Sequence, residues 1–327
     1  MPMIVNVWDG ERLRQSSVNN LSTEFDHPTW IDLAETNEED LQQVAEVIQI
    51  PGQLITGRSR AIYLHADRFP QYMKIPASYP TMSTTMTNFQ FRRIPVLILL
   101  SQESVLTIFS SATDIRNRIS EEFTKKSLPN VSIPAQVTFF TLLHLMETHE
   151  KCADTFEAFS EKCEESYPRW SRQMFSDVFN IWKGATRSLR ILNRFKTLVE
   201  SIAKGTVRIP FKQQERELFE LIYDRAEAAE DTVEMAQQTL KELMDMRLDD
   251  ISHETNMAMR LMAAITCIVA IPSVIGALLG MNLLGMPWPW PLWQVALIGI
   301  LPAVLMAAYF YMKGWLGGSK GLYLERA

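Results

Sequence analysis

The sequence predicts an α+β membrane protein with an N-terminal α/β domain, a long helical stalk and two C-terminal transmembrane helices. Three observations predict this class. The 52 residues from Leu261 to Met312 include no Asp, Glu, Lys or Arg, and one membrane-spanning helix needs only about 20 apolar residues. Neither proline nor glycine interrupts the chain from Phe211 to Pro272. Short apolar runs alternate with helical periodicity before residue 135.

Residues 1–135 are expected to form a cytosolic α/β domain. Its apolar runs predict strands at Met3–Trp8, Trp30–Leu33, Ala61–His65, Phe89–Phe91, Pro95–Leu100 and Val105–Phe109. Helical spacing predicts a helix at Glu38–Ile48, started by a capping box of Thr36 and Glu39, and another at Thr113–Thr124. The first residues, Met1–Asp9, lack the basic segment and long apolar run of a signal peptide, so we expect this domain to stay in the cytosol.

Residues 136–256 predict a helical domain that ends in a long stalk helix. Helices are expected at Ala135–Ser166 and Arg169–Val207, and a third begins near Phe211. The third helix has a heptad seam with steps of four and three residues. The seam consists of Leu218, Ile222, Arg225, Ala229, Val233, Ala236, Leu240, Leu243, Arg247 and Ile251. A helix of this length must pack along neighbours, and it leads directly into the apolar segment.

Charge is divided unequally between the last two of these helices. Residues 169–208 contain nine basic and two acidic side chains, whereas residues 211–256 contain five basic and thirteen acidic ones. Opposite net charge favours an antiparallel pair, although each exposed ion pair contributes only about 0–1 kcal/mol. The alternative is two solvated faces that do not pair.

The C-terminal part predicts a membrane hairpin. We expect a first transmembrane helix at 257–279, an outer loop at 280–291, a second transmembrane helix at 292–312 and a cytosolic tail at 313–327. The loop has no basic residue. Basic residues occur instead at the helix ends that are far from the loop, with Arg260 near the start of the first helix and Lys313 directly after the second. The positive-inside rule therefore places both termini in the cytosol.

Pro272 interrupts the first predicted membrane helix and frees one backbone carbonyl, which must find a partner in neighbouring protein or water. Either a pore-lining position or an ordinary packing kink would explain it. Small residues, which let membrane helices approach closely, are frequent on this helix. They are Ala263, Ala264, Thr266, Ala270, Ser273, Gly276 and Ala277. The sequence has three cysteines, Cys152, Cys163 and Cys267. This odd number does not suggest a disulfide framework, and we expect reduced thiols.

Several short motifs resemble the CorA family of divalent cation transporters, which includes ZntB-like proteins. Gly280-Met281-Asn282 matches the family's signature at the end of the first of two C-terminal membrane helices. Met286-Pro287 and Thr255-Asn256 match flanking positions, and Trp30-Ile31-Asp32 resembles a strand of the family's N-terminal domain. The resemblance implies a funnel-shaped homopentamer in the inner or plasma membrane. It would conduct Mg2+, or Co2+, Ni2+ or Zn2+, along an axis lined by five stalk helices.

Chemistry assigns roles within this pathway. Mg2+ dehydrates reluctantly, so a ring of Asn282 amides with Gly280 carbonyls could bind the hydrated ion at the entrance. We expect Gly280 to permit the backbone conformation and close approach, and Met281 to pack the turn. Heptad phase places further residues on the axis: Asn256, Met259, Ala263, Thr266, Ala270 and Ser273. Met259 and Met262 are candidates for a gate that closes by dewetting, or they simply pack between helices.

Three acids before the apolar segment, Asp245, Asp249 and Asp250, predict a regulatory metal site. Repeated around a ring, they would repel one another, and bound Mg2+ would relieve the repulsion and hold a closed state. The alternative is a solvated acidic face.

Other function classes fit less well. A non-transporting oligomeric membrane scaffold or sensor of the same fold remains the alternative. The five histidines are scattered, and the sequence shows neither a nucleophile–base pair nor a Walker pattern, which disfavours an enzyme and an ATP site. The net charge of −6 disfavours nucleic-acid binding. Trp288 stands where many CorA-like proteins have an acid, so the outer loop cannot attract cations by its own charge.

Overall fold

The computed structural model describes residues 4–8, 13–16, 29–34, 38–48, 73–83, 85–87, 89–109, 114–125, 128–207, 209–281 and 291–316. The chain divides into two compact units, which are Met1–Met244 and Asp245–Ala327. The first unit holds a sheet and the helices that cover it. The second holds the C-terminal end of a long helix and one further helix.

A six-stranded sheet forms the centre of the first unit. Its strands are β1 (Ile4–Trp8), β2 (Leu13–Gln15), β3 (Trp30–Ala34), β4 (Met73–Met82), β5 (Phe91–Leu100) and β6 (Val105–Phe109). The order is β2-β1-β3-β6-β5-β4, and only the β3–β6 pair among these neighbours is parallel. The strands predicted at Met3–Trp8, Trp30–Leu33 and Val105–Phe109 are confirmed as β1, β3 and β6. The separate strands predicted at Phe89–Phe91 and Pro95–Leu100 are parts of one longer strand, β5. The predicted strand Ala61–His65 and the predicted cap Thr36 lie outside the described residues.

Strand β4 was missed because of its prolines. It pairs with β5 over ten residues and contains Pro76 and Pro80. Proline cannot donate to a ladder and is confined to edge strands, and β4 is the edge strand of this sheet. Pro95 of β5 lies just before Val96, the first β5 residue that also pairs with β6. Prolines that signal loops in sequence are therefore tolerated at these positions.

Helices cover both faces of the sheet. They are α1 (Glu38–Val47), α2 (Asp114–Lys125) and α3 (Ile133–Ser166). Leu33 and Leu106 pack with Val44 of α1 on one face, whereas Trp30 packs with residues of α2 and α3, among them Ile119, on the other. Strands buried on both faces have continuous apolar runs, as in β6, where all five residues are buried. The predictions of α1 and α2 are confirmed within one residue at each end.

A long antiparallel helix pair follows the sheet. It consists of α3 and α4 (Arg172–Ala203). Pro134 lies in the first turn of α3, and the hydroxyl of Ser171 accepts a hydrogen bond from the N–H of Met174 at the start of α4. After α4, Gly205 has φ 64°, the left-handed conformation that favours glycine beyond a helix end. The predicted helices Ala135–Ser166 and Arg169–Val207 are confirmed with shifted ends.

Helix α5 (Gln213–Leu279) is continuous over 67 residues, or about 100 Å. The members of its predicted seam that are fully buried lie in the first unit. They are Ile222, Ala229, Val233, Ala236, Leu240 and Leu243. Gln237 donates a hydrogen bond to the Thr186 hydroxyl at 2.9 Å, and Lys196 contacts Glu230, so α4 and α5 run antiparallel as predicted. The seam's partners therefore belong to the same chain.

Charge attraction contributes less to this pairing than the sequence predicts. Among the described residues, the ion pairs that join α4 to α5 are those of Lys196 with Glu230 and Glu227. Arg225 instead binds Glu150 of α3 through two hydrogen bonds, one of them 2.6 Å long. Buried apolar contacts, rather than the opposite net charges, account for most of the pairing.

Candidate ion pathway

The apolar end of α5 is the part of the described chain that is long and apolar enough to cross a membrane, judged by length and composition. Helix α6 (Leu292–Met312) matches the second predicted span in its bounds. Its apolar stretch among the described residues, Ala296–Met312, is shorter than that length. Large apolar side chains on both helices are exposed, among them Met262 at 72% and Leu305 at 62%.

The structure places all six predicted pathway residues on one continuous helix with exposed side chains. They are Asn256, Met259, Ala263, Thr266, Ala270 and Ser273. At 100° per residue they fall within an arc of about 100° on α5. One face of the helix therefore carries an amide, two hydroxyls and small side chains. Met262 lies at the margin of this face.

Hydroxyl groups on this face are already hydrogen bonded to the helix. Thr266 donates to the carbonyl of Met262 and Ser273 donates to that of Val269, each at 2.8 Å. The hydroxyl oxygens keep acceptor lone pairs, which water bound to a cation could use. Pro272 has no N–H, so the carbonyl of Ile268 loses its usual helical partner beside Ser273.

The signature sequence begins where α5 ends. The N–H of Gly280 donates to the carbonyl of Gly276 at 2.9 Å, and the N–H of Met281 lies 3.4 Å from the carbonyl of Leu278. The described glycines with positive φ are Gly205 and Gly314, so Gly280 does not have a left-handed backbone. A Cβ atom at Gly280 would lie 3.3 Å from the carbonyl oxygen of Gly276, which is a close approach. The role expected of Gly280 at the entrance stays a prediction. Asn282 lies outside the described residues.

The three predicted regulatory acids do not converge within one chain. Asp245 and Asp249 are exposed one turn apart, and Asp250 is partly buried, lies on a different face and has a partner. Among the described residues, no group of three or more His, Cys, Asp or Glu side chains could hold a metal ion. A site built from these acids would need ligands from more than one chain.

Sequence reasoning missed a buried polar network in the sheet. Asp32 of β3 contacts Arg116 of α2 and accepts a hydrogen bond from Thr107 at 2.8 Å; Trp30 donates to Thr107 at 3.0 Å. Burial raises the pKa of the Asp32 carboxyl, and Arg116 and Thr107 only partly oppose this. The aspartate was visible in the strand, but its partner lies 84 residues away in sequence.

Three buried side chains of the first unit, His149, Cys152 and Cys163, are chemically quiet. Burial lowers the pKa of His149 to about 4, which leaves the ring neutral at physiological pH. Burial also raises the pKa of Cys152 and of Cys163 to about 12. These two thiols are free, as is Cys267, and a thiol with so high a pKa is a poor nucleophile.

A sheet-and-helix unit, a long helix with an apolar end and a second apolar helix are the arrangement expected of a membrane protein. The family profile described as "CorA-like Mg2+ transporter protein" matches residues 25–313. The chain therefore belongs to this family.

One curated relative and two solved structures are similar to most of the chain. The chain is 23% identical over 310 residues to the cobalt/magnesium transport protein CorA of Thermotoga maritima, covering 88% of this chain and 84% of the relative. The complete structure of the CorA magnesium transporter from Methanocaldococcus jannaschii matches with a TM-score of 0.73 and 17% identity, covering 96% and 99%. The full-length CmaX protein matches with a TM-score of 0.70 and 13% identity, covering 95% and 96%. At these identities the structural matches show the shared fold.

Proposed function

We propose that this chain is a CorA-like divalent metal cation channel or transporter, which conducts hydrated Mg2+ across the inner or plasma membrane. Co2+, Ni2+ and Zn2+ are the other candidate ions. The observation that carries the proposal is the extent of the family match, residues 25–313, which includes strands β3 to β6, the long helix and the apolar helices. The relative from Thermotoga maritima is named for cobalt and magnesium transport.

The pathway is formed in this proposal by five copies of α5 around an axis. Two rows with a spacing of seven residues support this arrangement. One row contains Asn256, Ala263 and Ala270, and the other contains Met259, Thr266, Ser273 and Gly280. A repeat of seven keeps the same face toward a symmetry axis. Exposed small and hydroxyl-bearing side chains leave room for an ion that retains its water.

The entrance is assigned to the Gly280-Met281-Asn282 signature. A ring of Asn282 amide oxygens and Gly280 carbonyls would accept hydrogen bonds from the first water shell, without replacing it. Such neutral groups suit a strongly hydrated ion, because a carboxylate cage would demand dehydration. The membrane potential supplies about 4.6 kcal/mol per divalent ion per 100 mV, so the flux runs down its electrochemical gradient without ATP.

The gate is assigned to Met259 and Met262, toward the start of the apolar segment. Both side chains are largely exposed in the single chain, so a ring of copies could bring the thioethers together as an apolar constriction. Asp245, Asp249 and Asp250 would then sense cytosolic divalent ions, which bind between copies and stabilise the closed state. In this proposal the barrier and the sensing acids are separated by about three to five helical turns along α5.

Both helices α5 and α6 cross the membrane in this proposal, with both termini in the cytosol. Trp293 near the start of α6 and Tyr309, Tyr311 and Trp315 near its end are at least partly exposed. Aromatic residues favour the two membrane–water interfaces. Trp293 and Tyr311 are 18 positions apart on the helix, a rise of about 27 Å, which is close to the thickness of the hydrocarbon core.

Metal uptake into sealed proteoliposomes tests the proposal. Wild type should carry Mg2+ inward when a negative internal potential is imposed, and Asn282→Ala should reduce the flux to the leak of protein-free vesicles. Asn193→Ala, which removes an exposed amide on α4, is the matched control and should conduct like wild type. Wild-type flux equal to the leak, from an intact oligomer, would instead favour the scaffold or sensor.

A further inference from the structure

Helix α4 carries a stripe of basic residues that faces neither of its neighbouring helices. The four residues are exposed and follow steps of four, three and four along the helix: Lys183, Arg187, Arg190 and Arg194. The hydroxyl oxygen of Ser188 lies 3.6 Å from Sγ of Cys152 on α3, and Lys196 binds Glu230 of α5. At 100° per residue, the stripe lies about 100–180° around α4 from Ser188 and from Lys196. We call this stripe the basic flank.

The basic flank has no acidic partner among the described residues. The ion pairs that α4 forms there involve Lys196 and Lys204 instead. Arg194 lies close enough to Arg93 of β5 for the two charges to interact. Burial, together with this second positive charge, lowers the pKa of Arg93. The described part of the chain therefore leaves the positive charge of this flank without a counter-charge.

A stripe of acidic residues lies on α3. It continues from Glu150, which binds Arg225 of α5, in steps of four, three and four to the exposed residues Asp154, Glu157 and Glu161. We call these three residues the acidic flank. Asp154 and Glu161 lie about 160–180° around α3 from Cys152, which faces α4. The ion pairs of α3 among the described residues involve other side chains.

Contacts between α3 and α4 show which residues of the two flanks lie at the same height. Cys152 is opposite Ser188, and a Cβ atom at Gly184 would lie 3.4 Å from the ring of Phe156. The helices are antiparallel, so each later residue of α3 is level with an earlier residue of α4. Two oppositely charged pairs therefore lie at nearly the same height, Asp154 with Arg187 and Glu157 with Lys183.

The two flanks cannot meet within one chain, because they point in opposite directions from the α3–α4 pair. They can meet between copies. A rotation about an axis parallel to the helices moves each copy without changing its height, so the charged pairs stay level. Contact between different surfaces of successive copies is the head-to-tail type that closes a ring.

We propose that the basic flank of α4 binds the acidic flank of α3 in the next copy of this chain. The inference rests on the proposed function, which places the copies around an axis. Arg187 pairs with Asp154 of the next copy, and Lys183 pairs with Glu157. Complementary charge of this kind fixes which surfaces meet and in which register, more than it adds affinity. The flanks therefore align the first units of neighbouring copies.

Carbodiimide cross-linking of the full-length protein in detergent tests the contact, because this reagent joins a lysine amine to a carboxylate only where the two touch. Mixing unlabelled and isotope-labelled chains before assembly distinguishes bonds between copies from bonds within one. Mass spectrometry should find Lys183 joined to Glu157 between copies. Lys183→Arg keeps the charge without a reactive amine, and Glu157→Gln removes the carboxylate, so each should abolish this product. Lys151→Arg, at an exposed lysine on another side of α3, is the matched control and should retain it.

Charge exchange at the second pair provides an independent check. Arg187→Glu and Asp154→Arg should each reduce the yield of the Lys183–Glu157 product, because each places like charges opposite one another. The combined variant should restore the yield, which two solvated faces would not do.

Absence of the Lys183–Glu157 product between copies, or equal yields in the single and combined variants, would overturn the proposal. Binding of the protein to phosphatidylglycerol vesicles that is lost in Arg187→Glu, without the cross-link, would assign the basic flank to a lipid surface and overturn it equally. Wild-type Mg2+ flux without the cross-link would leave the proposed function standing. The cross-link without flux would contradict the proposed function alone, so the two failures are distinguishable.

Discussion

The two units of the chain bury their apolar side chains in different ways. In Met1–Met244, large side chains such as Trp30, Phe156 and Phe219 are buried by contacts within the chain. In Asp245–Ala327, comparable side chains such as Met262 and Leu305 are exposed. An extended exposed apolar surface is unfavourable in water. The first unit therefore carries its own core, whereas large apolar side chains of the second are left exposed by the single chain. The proposed function assigns lipid and other copies to cover them.

The largest expected effect comes from the buried charge pair in the first unit. Asp32→Asn removes the fully buried carboxylate that pairs with Arg116 and accepts from Thr107, which should cost about 3–5 kcal/mol of unfolding free energy. Asp249→Asn, the same change at an exposed position of the second unit, should stay within about 0.5 kcal/mol. Chemical denaturation of the detergent-solubilised protein measures both.

The variants Asp32→Asn and Asp249→Asn also distinguish an effect on unfolding free energy from an effect on the regulation of transport. Asp249→Asn should alter how Mg2+ flux responds to Mg2+ on the cytosolic side, because it removes one proposed sensing charge per copy. A large loss of stability in Asp249→Asn, or none in Asp32→Asn, would break the comparison between the units.

A pair of leucines on α5 sharpens the comparison within one helix. Leu240 is 0% exposed and Leu248 is 53% exposed. Leu240→Ala should lose about 2–5 kcal/mol of unfolding free energy, whereas Leu248→Ala should change it by no more than about 0.5 kcal/mol. If other copies cover Leu248, native mass spectrometry should show fewer intact oligomers for Leu248→Ala. Equal destabilisation by both variants would contradict the assignment of Leu248 to an outer face.

A smaller, pH-dependent effect is expected at Glu215. Its carboxyl accepts hydrogen bonds from the backbone N–H of Ser132 and of Lys212, each at 2.7 Å, and so caps the starts of α3 and α5. Burial raises the pKa of Glu215, but these hydrogen bonds outweigh it and the pKa lies below its ordinary value. Glu215→Gln should cost about 2 kcal/mol at pH 7.

The sign of the pH dependence follows from the lowered pKa. The stabilising contribution of Glu215 is fully present above the unfolded-state pKa of about 4.3 and is lost as pH falls through the folded-state pKa. The difference in unfolding free energy between wild type and Glu215→Gln should therefore shrink in acid. Glu217→Gln, at an exposed neighbour, should show no such difference at any pH. A constant gap between wild type and Glu215→Gln would refute the capping role.

Most helices could be predicted from the sequence because helical periodicity is local. The span 292–312 coincides with α6, and the absence of proline and glycine before Pro272 anticipated the continuity of α5. Strand β4 could not be predicted, because edge position, which permits Pro76 and Pro80, is a property of the assembled sheet. The roles of Gly280 and Asn282 at the entrance stay predictions, because Asn282 lies outside the described residues.

The sequence by itself determined the membrane-protein class, the continuous helix and the order of small and hydroxyl-bearing residues along it. These properties depend on composition and on spacings of three, four and seven residues. Only the tertiary structure decided that the seam of α5 packs on its own chain and that Asp32 meets Arg116. Each of these contacts joins residues distant in sequence, and chain folding rather than local preference brings such side chains together.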